Sequence, residues 1–404
     1  MAASPERKAI TYVATCHGLL HVLELAYGVV LVSVAADMGA TLLTLGIIAN
    51  IFGFAYGLTA LPVGILADRT SETRILSVCA LGMGAASIGV SLSQGTVSLG
   101  IALAILGVAL GLFHPVATAY VARIATKTGL GFAYLGTGGN LGLALGPIMI
   151  GALASGFGWR YAYAGFAVPC LILGFLIMRL PSRSVVIGAR PGAVAAAQQT
   201  PLRPFLLPLG LIFAANTLNG LLYRGVVTFL PSHLSASVNS SIAGIDPVLL
   251  GGSFTTVALL FGVAGQFLGG FFCDRRRREA IALIAIGVSA PALLGVWGFS
   301  GPLLLGFAAL FAFFHFMSQP VFNALIADYC PDRWRGRMYG VYFFFSFGVG
   351  SFSASGLGYV ADTQGVQNVF LVCAFLGLAA LVFVIALLVR AVKRGKTRNT
   401  CRAV

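Results

Sequence analysis

Long apolar runs, with positive charge confined to every second gap between them, constrain this chain more than any motif in it. Of 25 Lys and Arg residues, all but Arg160 and Arg224 fall in alternate gaps or near the two ends. Cytoplasmic loops of membrane proteins keep Lys and Arg, whereas translocated loops lack them. A helical span needs about 20 apolar residues, and in hydrocarbon only helices and closed barrels satisfy their own backbone groups. Runs of this length mean helices. They place spans 1 to 12 near 10–35, 41–67, 74–93, 97–124, 129–156, 160–180, 204–234, 248–273, 280–299, 302–328, 336–360 and 366–392. The even count puts both termini on the cation-rich side, the cytoplasmic face of a cell inner membrane. The expected class is an all-α integral membrane protein with 12 transmembrane helices.

Composition agrees. Charged residues make up 9% of the chain and hydrophobic ones 58%, against about 25% charged in a soluble domain. The net charge of +14 resides in inner loops and in a basic tail, Arg390, Lys393, Arg394, Lys396, Arg398 and Arg402. Such charge suits the anionic inner leaflet of a bilayer and gives no reason to expect nucleic acid as a partner. The seven cysteines are scattered without a CxxC pair, so neither a disulfide nor a zinc site is expected. The polar segment Met1–Ala9 leads into a retained first span, not a cleaved signal.

The longest inner gap, Pro181 to Arg203, is rich in Pro, Ala, Arg and Gln. It divides the chain into a six-helix bundle at 1–180, a cytoplasmic linker at 181–203, a second six-helix bundle at 204–392 and a basic tail at 393–404. The halves repeat. Gly64-Ile-Leu-Ala-Asp68-Arg69 closes span 2 and Gly270-Phe-Phe-Cys-Asp274-Arg275 closes span 8. His114-Pro115-Val116 in span 4 pairs with Gln319-Pro320-Val321 in span 10, and Tyr27-Gly-Val-Val in span 1 with Arg224-Gly-Val-Val in span 7. Two pseudo-symmetric bundles around a midplane site are the plan of alternating-access transporters.

Of 11 acidic residues, only Glu24 lies deep within a span. It stands about 21 Å along span 1 at about 1.5 Å per residue, near the midplane, where ionisable groups are costly and normally functional. His17, His21 and Glu24 follow at i, i+4 and i+7 on one face, with Tyr27 next along it. A carboxylate held away from water beside an imidazole can take up and release a proton. Arg224 is the embedded cation. It can serve as counter-ion to Glu24, bind an anionic solute through its planar fork, or snorkel to the outer surface. His114 precedes Pro115 in span 4. His315, Gln319 and Asn323 form a polar stripe in span 10, and Tyr27, Arg224, Gln319 and Asn323 are the candidate solute ligands. Asn50, Asn140, Asn216, Asn219 and Gln266 are further amides with access to a cavity. In span 5, Gly138, Gly142 and Gly146 lie on one stripe before Pro147, a pattern that lets helix backbones touch in lipid.

Two nucleotide-like patterns fail. Gly136-Thr-Gly-Gly-Asn-Leu141 lacks the third glycine and follows no strand, and Gly395-Lys396-Thr397 lacks the first P-loop glycine. Energy must then come from an ion gradient, with protons as coupling partner and no cofactor, or from the solute's own gradient. No loop is long enough to house an enzymatic site.

Over almost its whole length the chain resembles the major facilitator superfamily. The loop after span 2, with Asp68, Arg69 and Arg74, is similar to that family's signature, although Ser71 and Glu72 replace its usual Gly and basic residue. The resemblance implies that Asp68, Arg69, Arg74 and, in the second copy, Asp274 latch the outward-open state. Gly142-x-x-x-Gly146-Pro147 resembles the family's antiporter motif, and tight packing alone also accounts for it. The family's span-4 Arg is replaced by Gly107 or Leu103, so coupling would run through Glu24, His21 and His114. Segments around His21–Tyr27, Phe113–Pro115, Gly138–Pro147 and Arg224–Pro231 are similar to fosmidomycin-resistance exporters, a drug:proton antiporter type. That implies a monomeric, proton-coupled exporter of a small polar or anionic compound. The alternative is a proton symporter importing an organic anion or sugar.

Overall fold

The structure, a computed structural model, describes residues 5–126, 128–180, 205–238, 246–273, 277–330 and 335–400. Spans 1 to 3 are Pro5–Met38, Leu42–Arg69 and Glu72–Ser91; span 4 is Thr96–Gly111 continued by Phe113–Ile124; spans 5 and 6 are Thr128–Phe157 and Trp159–Met178. Spans 7 to 10 are Leu206–Val238, Pro247–Cys273, Arg278–Gly298 and Gly301–Tyr329. Span 11 combines Arg335–Phe343, a π turn Phe344–Gly348, a 3-10 turn Val349–Phe352 and Ser353–Gln364; span 12 is Gln367–Thr400. All 12 are long and apolar enough to cross a bilayer.

Local chemistry sets the boundaries. Thr41 caps span 2 by accepting from the Thr44 amide, and Ser71 caps span 3 by accepting from Arg74. Span 4 breaks at Leu112 because Pro115 offers no N–H to the carbonyl one turn back and its ring crowds that carbonyl. Gly158 and Gly365, with φ of 94° and 92°, turn span 5 into 6 and span 11 into 12. They occupy equivalent places in the two halves, in a left-handed conformation that glycine adopts without steric cost. Span 12 does not stop at the expected start of the tail but continues as helix to Thr400, since Lys and Arg are good helix formers.

Span 1 packs on 5, 2 on 4 and 3 on 6; in the second half 7 packs on 11 and 12, 8 on 10, and 9 on 12. The bundles meet through spans 1 and 7, 2 and 11, and 5 and 8, a pairing that a two-fold relation between the halves requires. Large apolar side chains such as Val97, Phe157, Phe267 and Val382 are exposed on the outside of the assembly, as lipid-facing residues are. The linker at 181–203, Asp274, Cys401 and the last four residues of the tail lie outside the described residues, as do the side chains of Asp68 and Arg69.

Candidate functional site

A cavity of about 230 Å³ lies between the bundles, and both contribute to its wall. His17, His21 and Glu24 come from span 1, His114 from span 4 and Asn140 from span 5. Across from them stand Asn216, Asn219 and Tyr223 of span 7, Gln266 of span 8 and the span-10 stripe His315, Gln319 and Asn323. Tyr342, Phe343, Ser346 and Phe347 of span 11 complete it. In each span these residues fall at the midplane or in the membrane half that carries the termini.

On the first bundle's wall, hydrogen bonds join three side chains of span 1 in a row. His17 Nδ1 lies 2.9 Å from the Leu135 carbonyl oxygen. A carbonyl can only accept, so Nδ1 carries a proton and the Nε2 of neutral His17 is a bare acceptor. His21 Nε2, at 3.1 Å, therefore donates to it. The other nitrogen of His21, Nδ1, is 2.8 Å from Glu24 Oε2, and those two atoms share one proton. Carboxylate with imidazolium, or carboxylic acid with imidazole, both leave the pair with no net charge. The His21 side chain is 13% exposed and that of Glu24 1%, so His21 stands between the carboxylate and the cavity. Gly139 makes this possible: a methyl there would collide with the His17 ring. His114 stands edge-on to His17 at 5.1 Å and its Nε2 lies 2.9 Å from the Tyr56 hydroxyl. The three imidazoles each offer a nitrogen within 4.8 Å of the others, a spacing that could admit a metal ion.

The opposite half of the interface is closed. Gly28 abuts the Val227 carbonyl and Thr228, Gly46 abuts Ala354, and Gly151 and Gly252 fit against Val248 and Pro147. Beside Pro147, the Ile148 amide donates to the Thr256 hydroxyl of the other bundle at 3.0 Å. At the far rim, Asp362 of span 11 reaches across to the start of span 2, where its two oxygens accept from the Leu42 and Leu43 amides at 2.8 and 2.6 Å. Four N–H groups at a helix start lack intrahelical partners. Asp362 satisfies two of them, and Thr41 a third.

Of the residues expected at the site, Glu24, His21, His114, Gln319 and Asn323 come together on the cavity wall, with His17 and His315. Tyr27 does not join them. Ten residues beyond His17 it lies about 80° further round the helix, buried, and its hydroxyl donates to the Leu45 carbonyl at 2.9 Å. Arg224 is also off the wall. It is buried in the closed half, its guanidinium 5.3 Å from the Phe52 ring in room left by Gly53. Its Nη2 has no hydrogen-bond partner among the described residues. Arg224 thus does not snorkel. Asn50 accepts from the Ser351 hydroxyl at 3.0 Å, bridging spans 2 and 11. Gly138 and Gly142 pack on Ala14 and Gly18 of span 1, and Gly146 on Val22. Gly107 sits against the Phe52 carbonyl, leaving no room for an arginine. Arg74 is exposed at the first turn of span 3. Tyr223 and the span-11 aromatics of the cavity wall carry no mark in the sequence, because aromatic residues in apolar runs give no signal of facing a cavity.

A sequence profile of the Major Facilitator Superfamily matches residues 13–355 and 255–401. The chain belongs to the Major Facilitator Superfamily. It is a multi-pass secondary transporter that works by alternating access, and not an enzyme. It is similar to the MFS transporter asaE of Aspergillus flavus, 30% identical over 250 residues, 59% of this chain and 52% of that one, so the match spans about half of that relative. It is 25% identical over 359 residues to the Fosmidomycin resistance protein of Escherichia coli, covering 85% of this chain and 84% of that one. Among solved structures, a bacterial homolog of the human lysosomal transporter Spinster, inward-facing and occupied, matches with a TM-score of 0.76. Its identity is 14% over 96% of this chain and 97% of that one, a likeness of fold alone.

Proposed function

We propose that this superfamily member is a proton-coupled exporter of a small polar solute in a cell inner membrane, with both termini cytoplasmic. The observation that carries this is the His17–His21–Glu24 path on the wall of a cavity between the two bundles. With the termini inside, the cavity belongs to the cytoplasmic half and the arrangement is inward-facing. A solute entering from the cytoplasm meets the atoms that hold the shared proton. One that hydrogen-bonds to His21 or Glu24 competes with that proton, and competition is the condition for exchange. The span-5 stripe supports the same direction: Pro147 and Gly151 belong to the interface that must part when the carrier opens outward. Arg224, buried on the second bundle's side of the closed interface, acts on Glu24 electrostatically at a distance, without a hydrogen bond to it. Asp68, Arg69, Arg74 and Asp274 would hold the cytoplasmic side shut once the outer side has opened.

A second reading has its own support. An anion in this cavity would favour protonated imidazoles, and linkage would then make solute and proton bind together. That is symport, and it would import an organic anion. Transport in proteoliposomes under an imposed pH gradient separates the two. Exchange predicts uphill solute movement against the proton flow, symport uphill movement with it. Glu24→Gln should abolish either while leaving downhill flux. If the variant still concentrates solute as the parent does, Glu24 is not the coupling group.

A further inference from the structure

We propose that the solute is uncharged and rich in hydroxyl or amide groups, of monosaccharide to nucleoside size, and that the second bundle holds it. This rests on the cavity being the transport site. Its two walls differ in chemistry. The first bundle supplies Glu24 and three of the four imidazoles; the second supplies five of the six amides, Asn216, Asn219, Gln266, Gln319 and Asn323. No Lys or Arg lines the cavity among the described residues. The His21–Glu24 pair is neutral as a unit, and Arg224, over the Phe52 ring, is not among the lining residues. An anion entering here finds no fixed cation, and a cation finds one carboxylate whose exposed side is already taken by His21. An anion would then have to draw a proton onto an imidazole, and a cation would have to displace His21 from Glu24, before either charge found a partner.

An uncharged hydrogen-bonding solute finds the reverse. Gln266 and Gln319, with Asn140 opposite, have no protein hydrogen-bond partner among the described residues. The His315 Nδ1 atom is buried and also unpartnered, on a residue 2% exposed. Its ring is clamped between Tyr223 at 5.2 Å and Phe311 at 5.1 Å, so it cannot swing away to find a partner. Buried polar groups are normally satisfied, which the His315 Nδ1 atom is not, and the three half-buried amides line the same cavity. Amides donate and accept at once, as hydroxyls and solute amides require. Tyr342, Phe343 and Phe347 offer ring faces beside them. At about 230 Å³ the space is below the roughly 300–1,000 Å³ of drug-sized pockets.

The test uses the purified full-length chain and probes matched in shape but not in charge: glucose, glucuronate and glucosamine; uridine and uridine monophosphate; inositol and inositol phosphate. Thermal stabilisation and calorimetry should show at least one neutral parent binding about tenfold or more tighter than its charged analogues. Gln319→Ala and Gln266→Ala should each weaken that binding with the ligand-free melting temperature unchanged. A charged member binding tighter than its neutral parent overturns the proposal, and so does the absence of binding by every neutral member. Coupling is tested separately. Neutral-solute binding with uphill transport insensitive to the pH gradient sinks the proton-exchange reading and leaves this one standing; anion binding with gradient-driven transport does the opposite.

Discussion

Replacing Asp362 by alanine should tip the carrier toward its outward-open form. Among the described residues its carboxylate joins the two bundles at the far rim by charge, taking the Leu42 and Leu43 amides of span 2 at 2.8 and 2.6 Å. A carboxylate at a helix N-terminus is worth about 0.3–1 kcal/mol, and hydrogen bonds to a charged group contribute about 1.5–3 kcal/mol where desolvated. Asp362 is exposed, so solvent reduces both, and about 1–2 kcal/mol is a fair sum. When the bundles part, water satisfies the two amides and the carboxylate, so the loss falls on the closed-rim state alone. A change of that size moves a two-state ratio about five- to thirtyfold. Spin labels at Gln94 and Ser300, in exposed turns of the first and second bundle, would report it as a second, longer distance in pulsed dipolar spectroscopy. Asp362→Asn, which keeps one carbonyl acceptor, should fall between parent and alanine variant. Identical distance distributions in all three would refute the idea that this contact holds the rim.

Other expectations follow from the same geometry. His17→Phe fills the space beside Gly139 but removes the acceptor for His21 Nε2, so transport driven by a pH gradient should fall while the melting temperature stays near that of the parent. Gly142→Val would drive a side chain into the Gly18 backbone of span 1 and should destabilise by about 1–3 kcal/mol or more, read as a lower melting temperature in detergent. Arg224→Met keeps the length while removing a charge whose Nη2 is unpartnered. It should raise the melting temperature while lowering gradient-driven transport, since buried charge is often retained for function at the expense of stability; a fall in both would argue for a structural role.

The spans were legible because lipid leaves so few options: twelve apolar runs and the sorting of Lys and Arg placed nearly every helix to within a few residues. The span-1 triad was legible too, as His17, His21 and Glu24 share one face by spacing alone. Tyr27 shows the limit of that logic. A further turn along the same helix, accumulated rotation carried it to span 2. Arg224 shows another. The internal repeat aligns it with Tyr27 and so sets both on a cavity-lining face, yet neither lines the cavity; whether such a surface is cavity or sealed interface depends on how the bundles tilt, which no single residue encodes. Asp362 stands near a loop, where acids are unremarkable, and it gains meaning only from the start of a helix 320 positions away.

Span 11 carries one further consequence in its winding. The π turn Phe344–Gly348 holds a surplus residue relative to α geometry, and the 3-10 turn Val349–Phe352 directly after it is overwound. Such wide turns occur where a helix is put to use. Passing the surplus residue along the rod would swivel the intervening stretch by about 100° per position. Phe343 and Phe347, which now lie flat against His114 and Tyr56, would swing off the wall and their neighbours would take their place. A ratchet of this kind could release or trap a molecule at the mouth while the large bodies on either side stayed where they were.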